Sequence, residues 1–314
     1  MSREDDGSAD FLQERPRLLG IAYRLLGSMW DAEDVVADAM VRWLRTDRSQ
    51  VRDPAAFLTT VVSRLALDQL RSARVTRETY PGPWLPEPVL AAEASLDPLD
   101  SLVKRETLSL ATLRLMEQLT PPERAVFVLR EAFDVPYVQI AEILDVSQAS
   151  ARQLLHRAQA RLAAGHRRTE ADESEHRALL ERLLAAVGDG QLDDLEALLA
   201  ADVVSYNDGG GKARAAGRPV AGREKIIRFI ANLLRRTGPS PYARVLEVNG
   251  EPAAHLSLGG QDCVVALQVR DGRIQSILAV LNPDKLSYLY RQESGPPPQV
   301  APEATGRGSQ AASE

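Results

Sequence analysis

The chain has 314 residues, a formal net charge of −6 and a hydrophobic fraction of 44%, so two or three domains with their own cores are expected. Its one cysteine, Cys263, excludes an internal disulfide and fits a reducing cytoplasm. The polar N-terminus is unlike a signal peptide and no apolar run reaches the length of a membrane span. A cytoplasmic protein without membrane contact is predicted. Because the charge balance is acidic, any nucleic-acid affinity must come from local basic surfaces.

Three helices are predicted within residues 10–78, after an acidic segment, residues 1–9, that composition predicts to be disordered. The first helix is expected to end near Gly27. The second has acidic residues in its first turn, where the helix dipole favours them. The third has Asp53 as its cap and Pro54 at its first position.

Residues 79–104 are predicted to be a linker. Four prolines between Tyr80 and Val89 exclude a helix interior. Trp84 and Leu85 are the apolar residues of this segment, and an exposed tryptophan in a flexible spacer would be unusual. We therefore expect the linker to dock on a neighbouring surface rather than act as a bare polyproline spacer.

A helix-turn-helix is predicted within residues 119–162. Thr120 to Glu123 match a capping box, Asp145 lies in the turn, and Ser147 is a suitable N-cap for the second helix. Five arginines and no acidic residue lie between Val146 and Thr169, which favours DNA binding over the alternative of a solvated bundle helix. Helical spacing predicts which residues face inward on the first helix (Val138, Ala141, Ile143, Leu144) and on the second (Ala151, Leu154, Leu155, Ala158, Leu162).

Residues 169–293 are predicted to form an α+β domain, with helices first and hairpin strands last. Asn249-Gly250 and Asp271-Gly272 are typical hairpin turns. The glycine loop Asp208–Lys212 lacks the spacing of a nucleotide-binding loop, so a turn or an interdomain contact is expected. Residues 294–314 are rich in proline, glycine and serine and are predicted to be disordered.

The first half of the chain resembles bacterial sigma factors of the extracytoplasmic-function type, reduced to region 2 (residues 10–78) and region 4 (residues 105–168). The supporting motifs are Asp31-Ala32-Glu33-Asp34-Val35, Phe57-Leu58 through Asp68-Gln69-Leu70-Arg71, and the helix-turn-helix. The C-terminal half resembles a SnoaL-like domain of the nuclear-transport-factor-2 fold. The strings Trp84–Pro88, Asp208–Lys212 and Asn282–Leu286 resemble those of one subgroup that carries this domain as a fused regulator.

This resemblance implies a multi-domain fold: two all-α sigma domains and an α+β cone domain with a curved antiparallel sheet. It implies an alternative sigma factor that binds RNA polymerase core, through the beta-prime clamp and the beta flap, and promoter DNA. The fused domain is expected to regulate in cis, so that no separate anti-sigma factor is needed. It implies no catalytic residue, cofactor or metal.

The resemblance and the helical spacing assign four sets of residues. Asp31, Asp34 and Asp38 lie on one face of the second helix, although acidic residues at the start of a helix can also simply stabilise the helix dipole. On the third helix, the alternative to DNA binding is an ion pair of Asp68 with Arg64 or Arg71. The sets are: polymerase binding, Asp31, Glu33, Asp34 and Asp38; minus-10 DNA, Arg64, Arg71, Arg74 and Arg77; minus-35 DNA, Ser150, Arg152, Gln153, His156, Arg157 and Arg161; interdomain regulation, Trp84, Leu85, Pro86, Glu87, Asp208, Gly209, Gly210, Gly211, Lys212, Asn282, Pro283, Asp284, Lys285 and Leu286.

Two other functions stay open at the level of sequence. A conventional helix-turn-helix regulator with a ligand-sensing domain would need no acidic helix for polymerase, and its C-terminal pocket would bind a small molecule. An enzyme on the SnoaL-like fold would use His255 and Asp262, the only His and Asp near each other in the strand region, both expected at strand ends.

Overall fold

The computed structural model describes residues 4–90, 106–165, 173–188, 194–238, 240, 242–258 and 260–292. Its first unit is a helical bundle. The Ser28 hydroxyl caps the second helix by accepting a hydrogen bond from the Asp31 amide at 3.2 Å. The helices are α1 (Glu4–Leu26), α2 (Met29–Arg45) and α3 (Pro54–Glu78), with a 3-10 turn at Arg48–Gln50.

The prediction of a disordered segment at residues 1–9 is wrong from Glu4 onward, because α1 already begins there.

The second unit contains the helix-turn-helix. The capping box is confirmed, since Glu123 Oε2 accepts from the Thr120 amide at 3.0 Å. Asp145 is in the left-handed conformation (φ 54°), and Ser147 caps the recognition helix by accepting from the Ser150 amide at 3.1 Å. The elements are α4 (Leu110–Met116), α5 (Pro121–Phe127), a π-helical turn (Val128–Ala132), α6 (Tyr137–Leu144) and α7 (Gln148–Gly165).

The inward face of α7 is confirmed, because all five apolar residues predicted for it are buried. The face of α6 is rotated from the prediction. Val138 is 52% exposed, and Ile140 is buried in its place. With 3.6 residues per turn, Ile140, Ala141 and Ile143 centre on one side of α6, which is the buried side, and Val138 lies away from that centre.

The two helical units share one hydrophobic core, which runs from Phe11 in α1 to Leu162 in α7. Polar groups join them as well. The buried Arg124 of α5 donates to the carbonyl oxygen of Arg24 in α1, with Nε–O and Nη2–O distances of 3.2 and 3.1 Å. The two helical units are therefore packed directly on each other.

The third unit is an α+β domain with a six-stranded sheet in the order β2-β1-β6-β5-β4-β3. The expected hairpins are confirmed, with Asn249 and Asp271 at φ 55° and 50° before their glycines. Its elements are α8 (Glu173–Gly188), α9 (Asp194–Leu198), β1 (Leu199–Asp208), β2 (Val220–Ala221), α10 (Arg223–Thr237), β3 (Ala243–Val248), β4 (Glu251–Leu258), β5 (Gln261–Arg270), β6 (Arg273–Val280) and α11 (Pro283–Gln292).

The sheet is mixed, because β1 and β6 pair in parallel while its other neighbouring strands pair antiparallel, as expected. Parallel neighbours need a long crossover, and α10 with the strands β3 to β5 supplies it. Helices α8 and α10 cover one face of the sheet. The other face packs on α11, which the sequence reading missed, and on Leu85 of the linker.

Cys263 is buried in β5, as its apolar surroundings predict, and burial raises the pKa of its thiol. In the part of the chain that the structure describes, no helix is both long enough and apolar enough to span a bilayer.

Candidate nucleic-acid and partner interfaces

Helix α2 presents an acidic face with apolar neighbours. Asp34 and Asp38 are exposed and form no ion pair among the described residues. Val41 and Leu44 follow on the same face and are 46% and 51% exposed. Apolar side chains held in water beside unpaired acids are typical of a partner-binding surface. We had not singled out Val41 and Leu44, although their spacing from Asp34, i+7 and i+10, predicts a shared face.

The beginning of α2 is covered by α11. Arg291 forms an ion pair with Glu33 at 3.1 Å, and the Tyr288 hydroxyl donates to the same carboxylate at 3.2 Å. The Trp30 indole N–H donates to the Ser287 hydroxyl at 3.2 Å. Burial and the Glu33 charge raise the pKa of Tyr288 to about 12. Glu33, unlike Asp34 and Asp38, is therefore already engaged by the C-terminal domain.

The arginines of α3 have different surroundings. Arg71 forms an exposed ion pair with Asp68 at 3.0 Å, the alternative that sequence spacing left open. Arg64 does not pair with Asp68, and its Nη2 donates instead to the carbonyl oxygen of Glu142 in α6 at 2.7 Å. The side chains of Arg74 and Arg77 lie outside the described residues.

The outer face of α7 is formed as the sequence predicts. Arg152, Gln153 and His156 are exposed, and Arg152 lies over the ring of Tyr137 at 5.0 Å. Ser150 is partly exposed, and its hydroxyl contacts that of the capping Ser147 at 2.9 Å. The surface thus offers planar amide and guanidinium groups of the kind that read base edges.

Arg157 and Arg161 of α7 also contact the protein itself. Both lie beside the buried carboxylate of Glu123, Arg157 at 3.6 Å and Arg161 at 2.5 Å. Burial acts to raise the pKa of Glu123, but the Thr120 amide and hydroxyl and the two guanidinium groups outweigh it and hold the pKa below its usual value. These arginines anchor α7 to α5 while their outer sides stay exposed.

The linker and the C-terminal domain meet at a cluster that we call the latch: Tyr80, Leu85, Asp208, Asn282 and Lys285. The side chains of Asp208 and Lys285 are 0% and 8% exposed and form an ion pair at 2.7 Å. Asp208 also accepts from the Tyr80 hydroxyl at 2.6 Å and the Leu85 amide at 2.8 Å. Asn282 donates to the Tyr80 hydroxyl at 2.9 Å, and Lys285 donates to the Leu85 carbonyl oxygen. Three separate strings of the sequence converge here.

Aromatic rings and glycines complete the latch. The Lys285 ammonium lies 4.1 Å from the ring centroid of Trp84, a cation–π distance. Gly210 has φ 58°, and a Cβ there would lie 2.2 Å from Asn282 Nδ2, so a side chain is excluded. Lys212 and Asp284 form an ion pair at the exposed edge.

Glu87 ties the linker to the start of α2, and Asn249 of the β3–β4 turn ties the α+β domain to both helical units. The Glu87 carboxylate accepts from the Met29 amide at 2.6 Å, at the start of α2; burial raises the pKa of Glu87, and the Met29 hydrogen bond and the Lys285 charge oppose the rise. Asn249 Nδ2 donates to the Tyr23 hydroxyl at 2.7 Å and to the Leu108 carbonyl oxygen at 2.9 Å. The sequence predicts Asn249 only as a turn residue, because nothing in it signals the buried side-chain contacts.

His255 and Asp262 do not form a catalytic pair. His255 lies within β4 rather than at its end, and its Nδ1 accepts from Arg244 at 2.9 Å. Asp262 accepts from the hydroxyls of Tyr242 and Tyr290. Both are on the α11 side of the sheet, because they alternate with residues that face α8 and α10.

The comparisons agree with this arrangement. Sigma-70 region 2 matches residues 11–76, and sigma-70 region 4 matches residues 109–162. The chain is 40% identical over 311 residues to the ECF RNA polymerase sigma factor SigJ of Mycobacterium tuberculosis, covering 96% of this chain and 97% of that protein. It is 31% identical over 305 residues to a protein of the same species named "Probable ECF RNA polymerase sigma factor SigI", covering 94% and 100%. The crystal structure of SigJ matches with a TM-score of 0.74 and 39% identity, over 90% of this chain and 98% of that one.

Two sigma-70 regions, one of them with a helix-turn-helix, define the class as bacterial sigma factors. The chain belongs to the ECF RNA polymerase sigma factors. It is an alternative sigma factor that directs transcription initiation, and thus not an enzyme. The match to SigJ extends over the α+β domain, which confirms the expected architecture of two sigma regions with a fused C-terminal domain.

Proposed function

We propose that this sigma factor is held closed by its own C-terminal domain and opens to initiate transcription. The main support for this proposal is that hydrogen bonds join α3 of region 2 to α6 of region 4. Arg64 reaches the Glu142 carbonyl oxygen at 2.7 Å, and Gln139 Nε2 donates to the Ala56 carbonyl oxygen at 2.8 Å. Arg64, one of the residues expected on promoter DNA, is thereby used for an internal contact.

Promoter geometry requires these regions to separate. The minus-10 and minus-35 elements lie about 25 base pairs apart, or roughly 85 Å at 3.4 Å per base pair. Helices within hydrogen-bond distance of each other cannot read both elements at once. Because regions 2 and 4 share one core, the opening exposes apolar surface and carries a free-energy cost.

The residue roles in the open state follow from exposure and charge. Asp34 and Asp38, with Asp31 and Glu33 beside them, bind the beta-prime clamp of the polymerase core, and region 4 lies on the beta flap. Arg64, Arg71, Arg74 and Arg77 bind the minus-10 strand through its phosphates and unstacked bases. The outer face of α7 binds the minus-35 element, with base reading by Arg152, Gln153 and His156 and phosphate contacts by Arg157 and Arg161.

The C-terminal domain regulates by setting the cost of opening. The latch fixes the linker, and Asn249 connects the domain to Tyr23 of region 2 and Leu108 at the start of region 4. Helix α11 also occupies Glu33 on the polymerase-binding helix. In this proposal opening breaks the contacts of Asn249 and of α11 with the sigma regions, and this difference between the two states is what a two-state regulator needs. A separate anti-sigma factor is then unnecessary, and the protein works in the cytoplasm with the chromosome.

The test combines core binding with initiation. The purified chain is expected to co-elute with core RNA polymerase and to start transcripts from promoters selected out of its own genomic DNA. Deleting residues 173–314 removes the latch and α11 and is expected to change initiation per bound sigma factor. Unchanged output from the deleted form would refute cis regulation, and failure of the full chain to co-elute with core would refute the assigned role of α2.

A further inference from the structure

The C-terminal domain contains a cavity between its sheet and α10. The wider part has a volume of about 560 Å³ and opens to solvent past Arg214 and Arg236. A narrower part of about 90 Å³ continues between α8, α10 and the sheet. Asn207, Phe229 and Leu233 line both parts, so they adjoin. The size falls in the range of small-molecule sites.

The inner wall is apolar and incompletely covered. Along α10, all of which is described, Ile226 is the one buried side chain. Its other apolar residues that line the cavity, Phe229, Ile230, Leu233 and Leu234, are only half-buried. An amphipathic helix on a sheet normally buries its whole apolar stripe, so this stripe lacks a packing partner of hydrocarbon character.

The mouth is basic. Arg214 and Arg236 are exposed and form no ion pair within the described ranges, in a protein with a net charge of −6. One polar pair lies on the cavity wall, where Asn207 Nδ2 donates to the Ser205 hydroxyl at 3.0 Å, and both residues are buried. We propose that the cavity binds a small amphipathic carboxylate, with its hydrocarbon body against α10 and its head at the two arginines.

Binding rather than turnover follows from what lines the cavity. His255 and Asp262 are on the opposite side of the sheet, and among the residues that the structure describes no other acid–base pair lines either part. The position also suggests a consequence, which rests on the proposed cis regulation. Asn207 of β1 precedes Asp208, and Leu281, just after β6, precedes Asn282, so two of the strands that line the cavity lead directly into the latch. Ordering these strand ends by a ligand tightens the latch.

Calorimetric titration of the full chain with decanoate tests the site. Decanoate is expected to bind at least tenfold more tightly than decanol, which has the same hydrocarbon body without the charge. Arg214→Gln and Arg236→Gln are each expected to weaken decanoate binding about fivefold. Arg228→Gln, an exposed arginine of the same helix outside the cavity, is the matched control. Absence of decanoate binding, or equal binding of decanol, overturns the proposal.

Hydrogen exchange separates the site from its consequence. Saturating decanoate is expected to raise the protection of the linker amides at residues 82–90 severalfold, and not in the double variant of Arg214 and Arg236. Normal binding with unchanged protection overturns the coupling alone. Since neither measurement uses polymerase or DNA, the outcome is independent of the transcription assays above.

Discussion

Replacing Lys285 with methionine is the sharpest perturbation of the latch. Methionine keeps the length of the apolar stem and removes the ammonium group, so Asp208 stays buried without its counter-ion. Breaking a buried ion pair from one side costs about 3–5 kcal/mol. The Tyr80 hydroxyl and the Leu85 amide still donate to Asp208, which places the expected cost near the lower end. The cation–π contact with Trp84 adds about 1 kcal/mol.

Hydrogen exchange of residues 82–90 measures this cost locally. Four amides of the segment donate within the fold, those of Leu85, Glu87, Val89 and Leu90. Since each 1.4 kcal/mol is a factor of ten, about 3–5 kcal/mol lowers their protection by roughly two to four orders of magnitude.

The matched control is Lys212→Met. Lys212 and Asp284 also form an ion pair, but their side chains are 56% and 62% exposed. Exposed pairs contribute about 0–1 kcal/mol, so protection is expected to fall by no more than about fivefold. Equal losses in the two variants would refute the reasoning, because burial would then not decide the strength of the latch.

Three further outcomes are expected. Replacing Asp34 and Asp38 with arginine is expected to abolish co-elution with core RNA polymerase. The circular dichroism spectrum is expected to stay unchanged, because both side chains are exposed. Intact co-elution would contradict the polymerase-binding role of α2. Replacing Arg152 with alanine is expected to weaken binding of a minus-35 duplex by about 1–3 kcal/mol, measured by fluorescence anisotropy. The control is Arg177→Ala, which removes an exposed arginine of α8 and is expected to have no effect. Equal effects of the two substitutions would show that α7 contributes only general positive charge. Burial lowers the pKa of His176 to about 4 from its usual value near 6.5. As the pH falls, the unfolded chain therefore binds a proton at His176 before the folded chain does, and up to about 3 kcal/mol of stability that is present above pH 6.5 is lost as the pH approaches 4. In urea unfolding, a His176→Leu variant is expected to lack that part of the pH dependence. An unchanged pH profile of stability in the variant would contradict this role of His176.

Local signals in the sequence predicted most of the elements. The capping box at Thr120, the left-handed Asp145 and the hairpin glycines each require one backbone geometry, so residue type alone fixed them. The buried face of α7 followed from spacing because five apolar residues repeat at helical period. Val138 was assigned to the wrong face, because the apolar residues of the eight-residue α6 spread over more than half of its circumference and spacing alone does not decide which of them face inward.

Long-range contacts were predictable only through resemblance. Trp84, Asp208 and Lys285 were singled out as motif residues, yet nothing local shows that an aspartate and a lysine 77 positions apart share one buried site. The parallel pairing of β1 with β6, the contacts of Asn249 and the packing of α11 on Glu33 were missed for the same reason. These contacts depend on how separate units pack against each other, whereas hydrophobic periodicity predicts only the structure of each unit.

A reducible cross-link between α3 and α6 tests the closed arrangement most directly. Thr60 and Gln139 lie across this contact, 3.4 Å apart at Oγ1 and Nε2, and cysteines there can be joined by a short cleavable linker, since Cys263 is buried. The cross-linked protein is expected to give no promoter-specific transcript, and reduction is expected to restore initiation. Equal transcription before and after reduction would show that regions 2 and 4 need not separate, and would contradict the account.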